Sequence, residues 1–499
     1  MKRKLAHAAW TAVATASLGA AVPAQAKSDM VRIAEAADRL REMAAALERL
    51  DCKSARKLAR PLLDFQADTP VDADIRQAAQ AAELSCKALD DPNGALADLH
   101  RLTRLDDSPD MMWHLRFAIE TELGMKDAAV TTIEEMTQGR GAALNALSFP
   151  DLFQFVLRLD DAKDKPLRKR MLIVMSSSGY QPDTSIPMDL VRYRLAEMLV
   201  EEGKIEEARA IVTGLENSRE VIDASLHPKL RGLLPNDVDF RAIAEKSYRR
   251  QLDNMVRNPD RLEPIIYAAS ELHRLGRPQE ALDLLMAPAP RTEGENPFTD
   301  LDEQLNWWWD AIASSHFMLG KADAGFEALK KGGATAENEG LNVSQILNLA
   351  MIQVRYGRPA DALETLKAME GRSRSPYGEM VLRGARSCAL ARLERPGEAV
   401  ADLDHLAKHE KDGFMLHLDG LLCHDRIDDA AALLVRKLEE PDHAVGVLLA
   451  LSSYEDPPVK VPQSINEAGW DMLKARPEVR AAAERAGGTR RFPIQPGLF

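Results

Sequence analysis

Aromatic residues make up only 5% of the 499-residue sequence, and only four cysteines are present. Bases are also in deficit, 65 against 78 acids, for a net charge of −13. Few aromatics with 45% hydrophobic residues, mostly Ala and Leu, favour packed helices over stacked sheets. The acidic balance repels a nucleic-acid duplex or a bare anionic bilayer, so neither is an expected partner. Beyond the first 26 residues no apolar run is long enough to cross a membrane. Nucleophile elbows, phosphate loops, dinucleotide fingerprints, HExxH and paired CxxC are all missing. No enzyme activity and no cofactor are therefore expected.

The N-terminus is different in kind. Lys2, Arg3 and Lys4 precede a small, apolar stretch from Leu5 to Val22, and Ala24-Gln25-Ala26 follows Pro23. That order is a secretory signal peptide, with cleavage expected between Ala26 and Lys27 and the periplasm as destination. Loss of residues 1–26, which hold those three bases and no acid, would take the net charge from −13 to −16.

One phrase recurs in the body of the chain. "RLGRPQEALDLL" from Arg274 returns as "RYGRPADALETL" from Arg355 and "RLERPGEAVADL" from Arg392. Gly276 can end one helix in the left-handed conformation, and Pro278 suits the first turn of the next. Ile265, Ile266, Ala269 and Leu272 before the turn recur at helical spacing, as do Ala281, Leu282 and Leu285 after it. Each unit is a helix, a tight turn and a helix. This pattern resembles the tetratricopeptide repeat, in which hairpins recur about every 34 residues and stack into a superhelix. The small residue five places after each turn forms a ladder: Ala55, Ala95, Ala129, Ala208, Ala281, Gly325, Ala362, Ala399 and Ala430. Trp113 and Trp309 fall sixteen residues before their ladder residues, where the family often carries an aromatic. Two double-length gaps should hide degenerate hairpins, near Leu152–Ser177 and Val238–Asn258. The resemblance implies an all-α fold, an α-α superhelix (solenoid) of stacked TPR-like hairpins.

Along the chain this reads as N-terminal hairpins over 27–140, degenerate helical repeats over 141–260 and a repeat array over 261–440. A capping helix, Asn466–Ala486, and an extended tail ending at Phe499 fill 441–499. Met286–Asp300 is the clearest inserted loop. Cys52 and Cys86 are 34 residues apart, and Cys388 and Cys423 are 35 apart, about one repeat in each case. Residues one repeat apart occupy similar heights on adjacent hairpins, so disulfides Cys52–Cys86 and Cys388–Cys423 are expected, with Cys52 closing the first helix of its hairpin.

In this family the first helix of each hairpin lines a groove. The resemblance places Tyr267, Ser270, Asp310, Asn348 and Arg355 on that wall. Asn348 matches an asparagine with which some members hold a peptide's terminal carboxylate, although the lysines that accompany it there have no counterparts. Arg274, Arg355 and Arg392, just before successive turns, would form a basic rail. In "NWWWD" three consecutive tryptophans cannot share one helix face, so Trp307 or Trp308 is a candidate aromatic ligand face. His405, His409, His417 and His424 cluster beside Cys423, but the segment between them is broken by "EKDG", and solvated or turn histidines are expected rather than a metal site. The functional expectation is a periplasmic scaffold that binds an envelope protein or peptide. The alternative is a carbohydrate-binding repeat protein with a glycan as partner. An enzyme on a helical superhelix would need a catalytic domain, for which residues 441–499 are too short.

Overall fold

A hairpin turn has to reverse the chain in two or three residues, which a left-handed residue does most cheaply when it is glycine. In the computed structural model Gly124, Gly203, Gly276, Gly320 and Gly357 sit in these turns at φ between 70° and 77°. Leu50, Glu394 and Asp425 take the same place at φ of 60°, 57° and 55°. Five residues after each of these comes a ladder residue, and the whole ladder is buried. The one glycine in it has a cause. A Cβ on Gly325 would lie 2.8 Å from the ring of Phe317, which fills the crossing point of that hairpin.

The structure describes residues 27–496 apart from 65–69, 107, 160–162, 182–187, 288–296, 338–339, 458 and 460–465. The expected signal peptide, most of the inserted loop and Phe499 therefore lie outside the described residues. The chain divides into two compact units at Thr184/Ser185.

The first unit holds α1 Lys27–Glu48, α2 Cys52–Leu63, α3 Pro70–Asp90, α4 Pro92–Leu102, α5 Asp110–Glu122, α6 Lys126–Thr137, α7 Gly141–Ala146, α8 Phe149–Arg158 and α9 Lys165–Ser176. Each packs on a helix one or two places away in the chain. Cys52 opens α2 rather than closing α1, and its sulfur is at disulfide distance from Cys86 on α3, with Cα atoms 5.5 Å apart. A buried polar network stiffens the centre of this unit: Arg116 bonds Glu120, Thr103 and Glu135, and Thr132 donates to Glu120.

The second unit begins with α10 Asp189–Glu201, α11 Ile205–Thr213, α12 Ser218–Leu226 and α13 Phe240–Arg257. It continues with α14 Glu263–Arg274, α15 Pro278–Met286, α16 Leu301–Met318, α17 Ala322–Ala334, α18 Val343–Arg355 and α19 Pro359–Lys367. The last hairpins are α20 Pro376–Arg392 with α21 Val400–Lys408, and α22 Phe414–Cys423 with α23 Ile427–Glu439. Then come α24 Pro441–Leu451, α25 Glu467–Ala475 and α26 Pro477–Ala486. Proline opens α15, α19, α20, α24 and α26, where its missing N–H costs nothing. The expected single helix Asn466–Ala486 is two, because Pro477 forces Arg476 into extended backbone at ψ 130°. Among the described residues the only strands are a two-residue pair, Ala336–Glu337 with Gly340–Leu341. First helices α14 and α16, α18 and α20, and α20 and α22 touch, whereas successive second helices approach much less closely. The array therefore curves with its first helices on the inside.

The end of the second unit returns to its beginning. Helix α24 packs on α12. Residues 453–455 pair in parallel with 490–494, through Ser453 N–H to the Arg490 carbonyl and Phe492 N–H to the Ser453 carbonyl. This ribbon is fastened to early helices: the Gln495 N–H donates to the Arg274 carbonyl at 2.7 Å, and Arg490 Nε to that of Ser225 at 3.1 Å. Phe492, fully buried, meets Phe240 edge-on at 5.0 Å and lies 5.5 Å from Tyr454.

Candidate functional site

The inner wall of the second unit carries the residues that the repeat pattern selects. Tyr267, Ser270 and Arg274 are on α14, Asp310 on α16, Asn348 and Arg355 on α18, and Arg392 at the end of α20. Ser270, Arg355 and Arg392 are exposed, and Tyr267 and Asn348 half-buried. Asp310 is 6% exposed.

The three arginines are not equivalent. Arg274 is largely buried beside Glu271, Nε to Oε2 3.9 Å, and its backbone carbonyl is taken by Gln495. Its charge also acts on Asp223 of α12. Arg355 acts instead on Asp419 of α22, whose carboxyl burial raises and whose Oδ1 accepts from Asn466 Nδ2 at 3.2 Å. Between α14 and α18 stands α16, whose last turn offers no arginine. Arg274 and Arg355 thus act on different acids.

What it does bring to this wall is acid. Burial pushes Glu220 up to about 7 and Asp310 to about 7, and raises Asp223. Glu271, also raised by burial, accepts from the hydroxyls of Ser218 and Ser247. Burial and the charges of Glu263 and Glu220 push the Tyr267 phenol up to about 12. Sequence reasoning found Asp310 but missed Glu220, Asp419 and Gln345. A signal for Asp419 was available: "HLDGLL", like "WWWDAI" around Asp310, puts one acid inside an otherwise apolar first helix.

The tryptophans sort themselves by packing. Trp308 is 3% exposed and its Nε1 donates to the Leu285 carbonyl at 3.2 Å, so it is core and presents no ligand face. Trp309 meets Trp308 edge-on, with Lys331 Nζ 4.7 Å above its ring. Only Trp307 of the pair remains outside, at 43% exposure. The position of α16 explains this: α15, α17 and the buried Phe298 enclose the face that carries Trp308.

Cys388 and Cys423 are at disulfide distance, Cα atoms 5.2 Å apart, joining α20 to α22. His405 and His409 stack at 4.2 Å, His417 meets Glu410 at 3.0 Å, and His424 meets Ser387. Among the described residues no group of three or more His, Cys, Asp or Glu is placed to hold a metal.

Among the histidines, His273 and His227 are the most strongly held as neutral rings. Burial pushes His273 and His227 down to about 4, and His273 Nε2 bonds the Ser315 hydroxyl at 2.7 Å. Between pH 6.5 and 4 the unfolded chain binds a proton that buried His273 refuses. Stability must therefore fall as pH falls through that window, by about 3 kcal/mol for a shift of this size. The raised carboxyls act with the opposite sign, so the difference between proteins isolates the histidine. His273→Gln should lose less stability than the parent between pH 7 and 4.5 in urea unfolding. Parallel losses would show that His273 is already charged in the folded state.

Residues 236–303, from just before α13 into α16, match the tetratrico peptide repeat family. A Naa15/Naa10 complex bound to HypK-THB contains a chain 13% identical, aligned over 91% of this chain and 67% of that one, with a TM-score of 0.25. The hetero-tetramer of the APC/C, Cut9-Hcn1, gives 13% identity over 92% and 98%, with a TM-score of 0.24. Those scores are too low to carry an inference about architecture or partners. No curated protein matches this sequence.

Proposed function

We propose that this tetratricopeptide-like repeat protein is an exported, non-catalytic scaffold that holds a protein or peptide against its inner wall, within an assembly of the bacterial cell envelope. The observation that carries the reading is the wall itself: adjacent first helices present half-buried polar side chains, Tyr267 and Asn348 among them, beside exposed Ser270 and Arg355. Protein binding by such surfaces is the usual work of stacked hairpins. Export is supported by the N-terminal sequence and by two cysteine pairs at disulfide distance, which persist in an oxidising compartment. No helix among the described residues is long and apolar enough to cross a membrane. Of the two candidate tryptophans only Trp307 is left exposed for a glycan-binding reading.

A photoreactive amino acid at Asn348 or Arg355 should crosslink one envelope protein in cells. The same group at Val256, on a second helix and 81% exposed, should not. Equal labelling from all three positions, or none from the wall, would remove the scaffold reading.

A further inference from the structure

On the inner wall, α16 and α18 stand further apart than the first helices on either side of them. Beside the apolar cluster that the two helices share through Ile312, Phe317, Leu349 and Ile352, Asp310 meets Gln345 and Asn348. Gln345 is fully buried and Asp310 nearly so, yet Oδ1 of Asp310 and both amide atoms of Gln345 make no hydrogen bond. A buried polar atom left without a partner costs roughly 1–3 kcal/mol, so three such atoms in one place are not an economical way to fill a core. Gly332 of α17 packs directly against this cluster. A Cβ there would sit 3.3 Å from Gln345 Oε1 and 3.3 Å from Trp309 Cβ, so the glycine lets α17 close against the glutamine.

The chemistry of the unpaired atoms selects the ligand. Two of the three, a carboxylate oxygen and an amide oxygen, are acceptors against one amide donor, and among the described residues no ion pair reaches Asp310. On α17 the nearby cation, Lys331, is turned onto the ring of Trp309. On α18 the amides of Gln345 and Asn348 ease the Asp310 charge, and α14 and α15 bring no charge to it. An anion is excluded by Asp310, and by a chain of net charge −13. We propose that this niche receives the cationic end of a lysine or arginine side chain from the bound partner, with Asp310 as counter-ion and the Gln345 and Asn348 amide oxygens as further acceptors. This deepens the scaffold reading and rests on it.

Binding at this niche must compete with a proton. The free carboxyl, held near 7, is half protonated at neutral pH, and a cation beside it favours the ionised form. A capped Ala/Lys peptide should therefore bind the full chain about thirtyfold more weakly at pH 5.5 than at pH 8. Asp310→Asn should lower affinity at pH 8 at least tenfold and abolish the pH dependence. Gln345→Leu should weaken binding while leaving the pH dependence in place. A norleucine counterpart of the peptide should not bind, and spermine at equal charge separates a polypeptide ligand from a free polyamine. Calorimetry at pH 5.5 in two buffers of different ionisation enthalpy should show about one proton released per lysine bound. Unchanged affinity in Asp310→Asn, with circular dichroism and urea midpoint intact, overturns the proposal. If Asn348 still crosslinks an envelope protein in that variant, the scaffold reading stands and only the cationic niche falls.

Discussion

Replacing Cys388 and Cys423 together by alanine should destabilise the second unit by about 3–4 kcal/mol. A bridge over 35 residues removes that much loop entropy from the unfolded chain. The bridge ties α20 to α22, two first helices of the inner wall, in a part of the stack where each hairpin leans on its immediate neighbours. Loosening one junction should therefore be felt locally first. Cys388 is 5% exposed, and alanine leaves no unpaired polar atom there, so the loss reports the cross-link more than a new cavity. Urea unfolding of parent and variant, with and without reductant, measures it. The reductant should lower the parent and leave that junction of the variant unchanged. Mass change on alkylation checks the premise, because four thiols reactive in the unreduced protein would mean that neither bridge exists. The same removal at Cys52 and Cys86 should weaken the first unit by a similar amount, since its loop spans 34 residues.

Phe492→Ala should cost about 3–5 kcal/mol, the range for emptying a buried phenylalanine site, because the ring is fully buried and packed edge-on against Phe240. The effect should reach further than one cavity. Phe492 and Ile494 are the apolar pins of the ribbon that joins residues 453–455 to the start of the unit, and both are fully buried. Without them the hydrogen bonds from Gln495 to Arg274 and from Arg490 to Ser225 have no packed backing. Amide exchange should accelerate in 453–456 and in α12, at opposite ends of the unit's sequence, while the junction of α16 with α17 stays protected. Truncation after Gly488 should reproduce the pattern. A variant whose exchange changes only within a few residues of position 492 would show that the ribbon decorates the unit without closing it.

The hairpins were legible in the sequence for a local reason. A left-handed turn residue, a proline at the first helical position and a small residue at the helix crossing lie within six residues of one another, as in Gly276, Pro278 and Ala281. Their requirements are set by backbone sterics and by the distance between two adjacent helices, so the pattern stands in the chain itself. The cysteine pairs were legible for the same reason, because one repeat of separation places residues at equal height on neighbouring hairpins.

What fills the wall was not legible. Arg274, Arg355 and Arg392 look equivalent in the phrase they open, yet Arg274 is held by Glu271 and roofed by Gln495, from 221 residues further along the chain. Trp307 and Trp308 are neighbours in sequence, but a 100° turn of the helix buries one and leaves the other outside. Asp310 and Gln345 are 35 residues apart, and only the stacking of α16 and α18 brings one to act on the other. By itself, then, the sequence determined the repeating helical hairpin, its turns and its cross-links, because these depend on neighbours within about forty residues. The tertiary structure decided the closure of the second unit by Phe492 and Ile494, and which polar groups on its inner wall lack a partner. Burial and pairing there depend on atoms that only the stacking of distant hairpins brings within reach.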